Sequence, residues 1–590
     1  MRLPRSKGIG RPGDWPGPTF QPRMRFVALA TDFDGTLARH GVVSNRTVAA
    51  LERLRGSGRR LLLVSGRELL DLQQVFPRLD LFDACVLENG ATLYSPKDQE
   101  EQLLADPPPE TFLTACREAG VSPLSAGRVI VATDESETPT VLDIIHALGL
   151  ELQPIFNRGS LMILPSGVNK ASGLATALRD LGLSPHNVVA VGDAENDHAF
   201  LNFCECGVAV GNALPSLKQR ADLVMQGGDG DGVVELIDAL IDHDLAQTTT
   251  WLRRHEIRLG RSAHGESIGF PVSGRNLLIA GSSGAGKSSI TSAFVEQLVD
   301  ARYQVCVIDP EGDYKTLGDA VVLGEPKSPP AVEAALAVLV KPERSVVLNL
   351  LGVRLEDRPI FFQALITRLQ ELALRRGRPH WVVVDEAHHM LPADGKTPFA
   401  PVKGMLNTAL VTVRPEHVLR DAVRITDALI AVGKEPAAAA RAWSAAVGVS
   451  AASPNAPLER GHALLWFKEQ PALPLDFQLA ESRNDRVRHS RKYASGELPP
   501  DRSFYFRGPE KKLKLRADNI TTFLRMADGV DEETWLHHLR QGDYSRWMRT
   551  EIRSEELADE MENIERAHLS PEESRARIRE AIEKRFTISE

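Results

Sequence analysis

Asp32 and Asp34 stand two residues apart in the run Asp32-Phe33-Asp34-Gly35-Thr36, directly after the apolar stretch Phe26–Thr31. Two carboxylates at that spacing have distinct chemical uses. One can attack phosphorus and become an aspartyl-phosphate, while the other protonates the leaving oxygen and later activates water. Gly35 lets the chain turn sharply behind them. A second apolar run ends in Ser65-Gly66-Arg67, whose hydroxyl and backbone N–H groups suit phosphate oxygens. Lys170 follows the turn Ser166-Gly167-Val168-Asn169 and offers positive charge beside an attacked phosphate. The run Val188–Val191 leads into Gly192-Asp193-Ala194-Glu195-Asn196-Asp197, where Asp193 and Asp197 are the hard oxygen ligands that Mg2+ takes. Thr36, Gly66, Arg67 and Asn196 are the candidate substrate contacts of this set.

A second constellation begins at Gly281-Ser282-Ser283-Gly284-Ala285-Gly286-Lys287-Ser288-Ser289, which fits G-x-x-x-x-G-K-[ST] after the apolar run Leu277–Ala280 and before the helical run Ile290–Leu298. Gly281, Gly284 and Gly286 let backbone N–H groups cradle phosphates at a helix N-terminus. Lys287 reaches the β- and γ-phosphates and Ser288, followed by Ser289, the Mg2+, so ATP is the expected nucleotide. The run Trp381–Val384 ends in Asp385-Glu386-Ala387-His388-His389. Asp385 is there a candidate metal ligand, and Glu386 a candidate catalytic group that polarises water. Thr412 is a candidate γ-phosphate sensor, and a trans-acting arginine finger is sought among Arg375, Arg376 and Arg378.

Both constellations need rigid strand ends to hold them, and the sequence supplies such strands twice. From about residue 24 to 245, short apolar runs alternate with helical patterns, the signature of a parallel sheet covered by helices. The alternation returns from about 255 to 480. The polar, basic stretch 251–267 between them reads as a linker passing into a β-rich entry. Residues 1–23, rich in Arg, Pro and Gly, read as a disordered leader, and 500–590 as a small helical module whose Trp535 and Trp547 belong to its core. The expected fold class is thus α/β and multidomain.

The four N-terminal elements, in this order and each after an apolar strand, resemble the haloacid dehalogenase (HAD) superfamily. That resemblance implies a Rossmann-like sheet, with Asp32 as nucleophile, Asp34 as general acid/base, Ser65 and Lys170 as catalytic partners, and Mg2+ held by Asp32, Asp34, Asp193 and Asp197. Glu88-Asn89-Gly90-Ala91 and Val208-Ala209-Val210-Gly211-Asn212-Ala213 resemble the Cof-type (IIB) branch. This implies an α+β cap at about residues 91–165 and a small phosphorylated metabolite, a sugar phosphate, as substrate. Ala194-Glu195 departs from the usual fourth motif. The middle block, with Asp309-Pro310-Glu311-Gly312-Asp313-Tyr314 beside its P-loop and Asp-Glu-Ala-His, resembles the HerA/FtsK-like P-loop ATPases, in which hexamers and DNA translocation are common.

The 590-residue chain carries a net charge of −9, so there is no global signature of nucleic-acid binding, and DNA as a partner stays open. It has no apolar run long enough for a membrane span. The five cysteines, few and odd in number, fit a reducing cytoplasm rather than a disulfide framework. Three readings follow: a phosphatase joined to an ATPase, a nucleic-acid motor with an accessory phosphatase, or an ATP-dependent switch.

Overall fold

The computed structural model describes residues 24–246, 253–282, 285–314, 317–393, 407–453, 458–459, 461–480, 498, 502–510, 513–552, 554–567 and 569–583. The leader 1–23, and Gly284 of the P-loop, lie outside the described residues. The chain divides into two compact units, the first running to His255 and including Leu339–Glu343 and Gln363–His380, the second holding the remainder.

In the first unit the strands β1 (Ala28–Thr31), β2 (Arg60–Val64), β3 (Ala84–Leu87), β4 (Thr92–Ser95) and β5 (Glu100–Leu103) join β10 (Val188–Gly192), β11 (Cys206–Ala209) and β12 (Leu223–Val224) in one sheet. Its order is β12-β11-β10-β1-β2-β3-β4-β5. The strands from β12 to β3 run parallel, whereas β4 and β5 pair antiparallel at the edge. Helices cover parallel strands on both faces; accordingly Leu61–Val64 and Val188–Val191 are wholly buried. A separate antiparallel sheet, order β6-β7-β9-β8, is built from β6 (Leu124–Ala126), β7 (Val131–Asp134), β8 (Leu152–Asn157) and β9 (Ser160–Pro165). Its own core (Phe112, Val131, Val141, Ile145, Leu161, Ile163) includes residues of the helices Glu110–Glu118 and Thr138–Leu148. We call this element the cap.

β1 lies between β2 and β10, so the chain crosses to opposite sides of β1 and leaves a crevice at the carboxyl ends of these three strands. The helix Lys170–Asp180 is started by a capping box of Asn169 and Ser172. It presses against the turn after β3 so closely that a Cβ on Gly173 would lie 2.6 Å from Gly90 Cα.

The second unit carries an eleven-stranded sheet of β13 (Glu256–Arg261), β14 (Ser267–Pro271), β15 (Leu277–Ala280), β16 (Val305–Asp309), β17 (Val321–Leu323), β18 (Val346–Asn349), β19 (Trp381–Val384), β20 (Thr408–Thr412), β21 (Ala428–Val432), β22 (His462–Phe467) and β23 (Leu475–Leu479). The order is β14-β13-β23-β22-β21-β15-β20-β19-β16-β18-β17. The stretch read as a linker passing into β structure contains β13, whose burial alternates at Ile257 and Leu259 because one face packs on the core. The C-terminal segment contains the helices Ile520–Gly529, Glu532–Arg540, Glu555–Arg566 and Pro571–Glu583, and also a hairpin of β24 (Phe504–Phe506) and β25 (Leu515–Ala517). Trp535 and Trp547 are buried in its core, and their indole N–H groups donate to Ser574 Oγ and the Arg502 carbonyl. Among the described residues no helix is long and apolar enough to cross a membrane, and all five cysteines are free and buried.

Candidate active site

The carboxyl ends of β1, β2 and β10 bring together most of the residues singled out from the sequence. Lys170 Nζ donates to Asp32 Oδ1 and to Asp197 Oδ1, each at 2.6 Å. All three side chains are buried. Asp197 in turn accepts the backbone N–H groups of Asp193 (2.8 Å) and Ala194 (2.9 Å), which fixes the loop that carries Asp193. Thr36 Oγ1 donates to Asp193 Oδ1 at 3.0 Å. Gly35, at φ +75°, is required here, since a Cβ on it would sit 2.5 Å from Asp193 Oδ2. Ser65 is buried and its Oγ accepts the backbone N–H of Arg67 at 3.1 Å. Asn196 Nδ2 donates to Asn89 Oδ1 at 2.9 Å. The Arg67 guanidinium grips Asp34 through Nε (2.6 Å) and Nη2 (2.8 Å) and also pairs with Asp71, so Asp34 faces the rim while Asp32 faces inward.

The electrostatics of this cluster are those of excess negative charge. Burial pushes the Asp32 carboxyl well above its ordinary range, opposed by Lys170 and reinforced by Asp197 and Asp193. Burial and the neighbouring Asp197 raise Asp193 to about 6. Burial disfavours a charged Lys170, but Asp197 and Asp32 outweigh it and raise its pKa. The carboxylate oxygens of Asp32, Asp193 and Asp197 lie within 4.8 Å of one another. Three buried carboxylates against one lysine make a donor set that a hard divalent cation fits, because a second positive charge would offset the burial and the mutual repulsion that raise Asp32 and Asp193.

A second group with metal-binding residue types, His186, Glu205 and His255, is of another kind. Glu205 already takes Arg25 at 2.8 Å and His186 Nδ1 at 2.9 Å. A metal ion there would sit against a guanidinium, and the group reads as an ion-pair network.

In the second unit, β15 runs into the P-loop and the helix Lys287–Asp300 begins at Gly286, φ +103°. Lys287 is buried and its Nζ donates to the Ser282 carbonyl at 3.3 Å. β20 separates β15 from β19, and Thr412 at its end pairs in register with Ala280. Asp385 is buried at the end of β19 and its Oδ1 accepts the N–H of Glu386 at 2.9 Å. Glu386 takes a left-handed backbone, φ +42°, and faces His388 Nδ1 at 3.5 Å. Burial, with His389, His417 and Lys287 nearby, lowers His388 to about 4. Thr412 Oγ1 donates to the Arg414 carbonyl at 3.1 Å. Arg378, which belongs to the first unit, is buried and donates to the Gly182 carbonyl at 3.0 Å.

Residues 29–114 and 133–237 match the family described as haloacid dehalogenase-like hydrolase, and residues 271–372 match the helicase HerA central domain. The chain joins a HAD hydrolase domain to a HerA-type domain. A protein named phosphoglycolate phosphatase 2 from Saccharolobus solfataricus is 28% identical over 224 residues, covering 36% of this chain and 92% of that protein. A phosphoglycolate phosphatase from Methanothermobacter thermautotrophicus is 28% identical over 219 residues, covering 36% and 96%. Among solved structures, a haloacid dehalogenase-like hydrolase from Bacteroides thetaiotaomicron matches 37% of this chain and 100% of its own, with 22% identity and a TM-score of 0.33.

The HAD domain also contains site residues that the sequence did not single out. Arg158, on the cap turn between β8 and β9, pairs with Asp193 Oδ2. Met162 approaches Gly66, so close that a Cβ there would lie 3.3 Å from its Cε. The Glu88 carboxylate accepts three cap N–H groups, from Arg128 (3.0 Å), Val129 (2.8 Å) and Ile130 (2.8 Å). Two extended runs separated by Arg158-Gly159 are a legible hairpin signal; the reach of its tip to Asp193 is not.

Proposed function

We propose that the HAD domain hydrolyses a small phosphomonoester through an aspartyl-phosphate on Asp32. The observation that carries this reading is Lys170 held at 2.6 Å from both Asp32 and Asp197 on the floor of the β1/β10 crevice, with Asp193 beside them. Asp32, Asp193 and the Asp34 carbonyl are the groups to hold Mg2+, with Asp197 supporting the loop; the ion supplies charge neutralisation for the transferring phosphoryl group. A carboxylate oxygen of Asp32 attacks phosphorus, the ester P–O bond breaks, and Asp34 gives its proton to the departing oxygen. Water then attacks the acyl-phosphate, Asp34 takes its proton, and inorganic phosphate leaves with Asp32 regenerated. Lys170 keeps the attacking carboxylate oriented, while Ser65 Oγ and the N–H groups around Gly66 receive the phosphate oxygens. Asp34 must leave Arg67 to act as acid, so that ion pair sets its resting position. The relatives' names favour a small phosphorylated acid over the sugar phosphate expected from the Cof-type resemblance.

The HerA-type domain is the ATP-binding and hydrolysing part in this reading. Lys287 and Ser288 hold the phosphates and Mg2+, Asp385 serves as metal ligand, and Glu386 activates water.

The test is phosphate release from a panel of small phosphomonoesters with and without Mg2+. Wild type is expected to release phosphate only with Mg2+. Asp32→Asn falls to background, and Asp34→Asn loses about 10²–10⁴-fold. A metal-independent rate that survives Asp32→Asn would overturn the reading.

A further inference from the structure

The cap strands β8 and β9 are joined by two residues, Arg158 at φ +47° and Gly159 at φ +88°. Positive φ at both central positions is the type I′ hairpin turn, where Asn-Gly or Asp-Gly is the favoured pair. A long side chain in the first of these positions is uncommon and carries a backbone cost. Nothing in the turn itself asks for arginine.

What the arginine does is reach out of the cap. Its guanidinium pairs with Oδ2 of Asp193, a residue of the other sheet that is wholly buried, while the Arg158 side chain stays 48% exposed. The β8 end of the cap thus delivers a planar, permanently charged donor fork to the floor of the active site from the solvent side. In this structure its anion is a carboxylate of the enzyme. Once a divalent cation occupies the Asp32/Asp193 carboxylates, that partner is taken and two positive charges face each other, so the fork needs another anion within a short swing. The transferring phosphoryl group is already served by Lys170, Ser65 and the motif backbone. Two anions are then in reach: the exposed Glu195, whose Oε2 lies 3.5 Å from the Arg158 backbone N–H, and one carried by the rest of the substrate on the cap side, which the guanidinium meets when substrate fills the crevice.

We propose that Arg158 is a specificity residue that binds a carboxylate on the non-transferred end of a short substrate, making phosphorylated small carboxylic acids the preferred class. This deepens the phosphomonoesterase reading above and rests on it. A guanidinium fork matches a carboxylate with two parallel hydrogen bonds, which an alcohol end cannot accept equally. The short reach from the cap turn to Asp193 restricts the carboxylate to a site close to the phosphate.

The experiment compares 2-phosphoglycolate with 2-hydroxyethyl phosphate, the same skeleton with an alcohol in place of the carboxylate. Arg158→Asn removes the guanidinium and installs the residue the turn prefers, so a folding defect is not expected; a thermal melt checks it. The expected result is a loss of about 10- to 100-fold in kcat/KM on 2-phosphoglycolate, carried mainly by KM, with a far smaller loss on 2-hydroxyethyl phosphate and partial recovery in Arg158→Lys. Calorimetric binding of 2-phosphoglycolate to Asp32→Asn, with and without Arg158→Asn, reads the same contact without turnover and should weaken by a similar factor. Equal losses on both substrates, or no loss in binding, overturn the assignment while leaving the phosphatase intact. If wild type releases phosphate from neither ester and Asp32→Asn binds neither, the phosphomonoesterase reading itself fails and takes this assignment with it.

Discussion

Lys170 carries more of the site than any other single side chain. With 2% of its side chain exposed, it holds two buried carboxylates at 2.6 Å. Removing one partner of such a cluster leaves uncompensated charge in a dry place, which costs about 3–5 kcal/mol. Lys170→Met, close in size and able to pack against Phe200, is therefore expected to lose phosphatase activity and also to destabilise the domain by that order in urea unfolding. A variant that loses activity with unchanged stability would show that the lysine acts on substrate alone. The acidic residues and Lys170 were legible in the sequence because each sits beside a strand or helix end that an apolar run or a capping box announces. Arg158 was not legible, because its role depends on a contact 35 residues away, between the cap and the fourth motif. Arg67 shows the same gap from the other side. Its expected place as a substrate contact is unaffected, but its ion pairs with Asp34 and Asp71 were not legible, because they depend on how the turn after β2 folds back toward β1.

The turn after β3 is the element on which the cap and the core meet. Glu88, Asn89 and Gly90 have φ of +49°, +54° and +102° in succession. Only Gly fits the third position, since a Cβ there would overlap the carbonyl of Asn169. The strained pair before it is retained because both side chains make contacts that depend on this backbone. Asn89 holds Asn196, and the wholly buried Glu88 carboxylate gathers the N–H groups of Arg128, Val129 and Ile130. Charged hydrogen bonds of this type contribute about 1.5–3 kcal/mol. Glu88→Gln keeps the shape but offers one acceptor oxygen in place of two, so the cap loop should open more often. Hydrogen exchange at the amides of 128–130 is expected to quicken by at least about tenfold, with the core strands β1 and β10 unchanged. Uniform quickening across the domain would mean that Glu88 supports the fold as a whole rather than the docking of the cap.

At the scale of the molecule, both α/β blocks were legible because parallel strands buried on two faces must be continuous apolar runs. The strands that escaped are the half-exposed ones. β5 reads Glu-Glu-Gln-Leu and β6 reads Leu-Ser-Ala, and each lies at a sheet edge. Sheet order was not legible either, since local sequence does not state which strands pair. Each unit has its own apolar core, one around β1, β2 and β10 and one around β15, β16 and β19. Independent cores lead to a definite expectation for the two chemistries. Lys287→Ala and Glu386→Gln should remove ATP hydrolysis, the latter by about 10²–10⁴-fold, while phosphate release from small esters stays at the wild-type rate. The comparison is made with and without ATP, and with duplex DNA added to the ATPase assay. A phosphatase rate that responds to ATP in wild type but not in Lys287→Ala would show that nucleotide occupancy reaches the HAD domain, and the chain would then be a switch. Stimulation of ATP hydrolysis by DNA would instead favour a motor, because an acidic chain gains DNA affinity only through a local basic surface built for it.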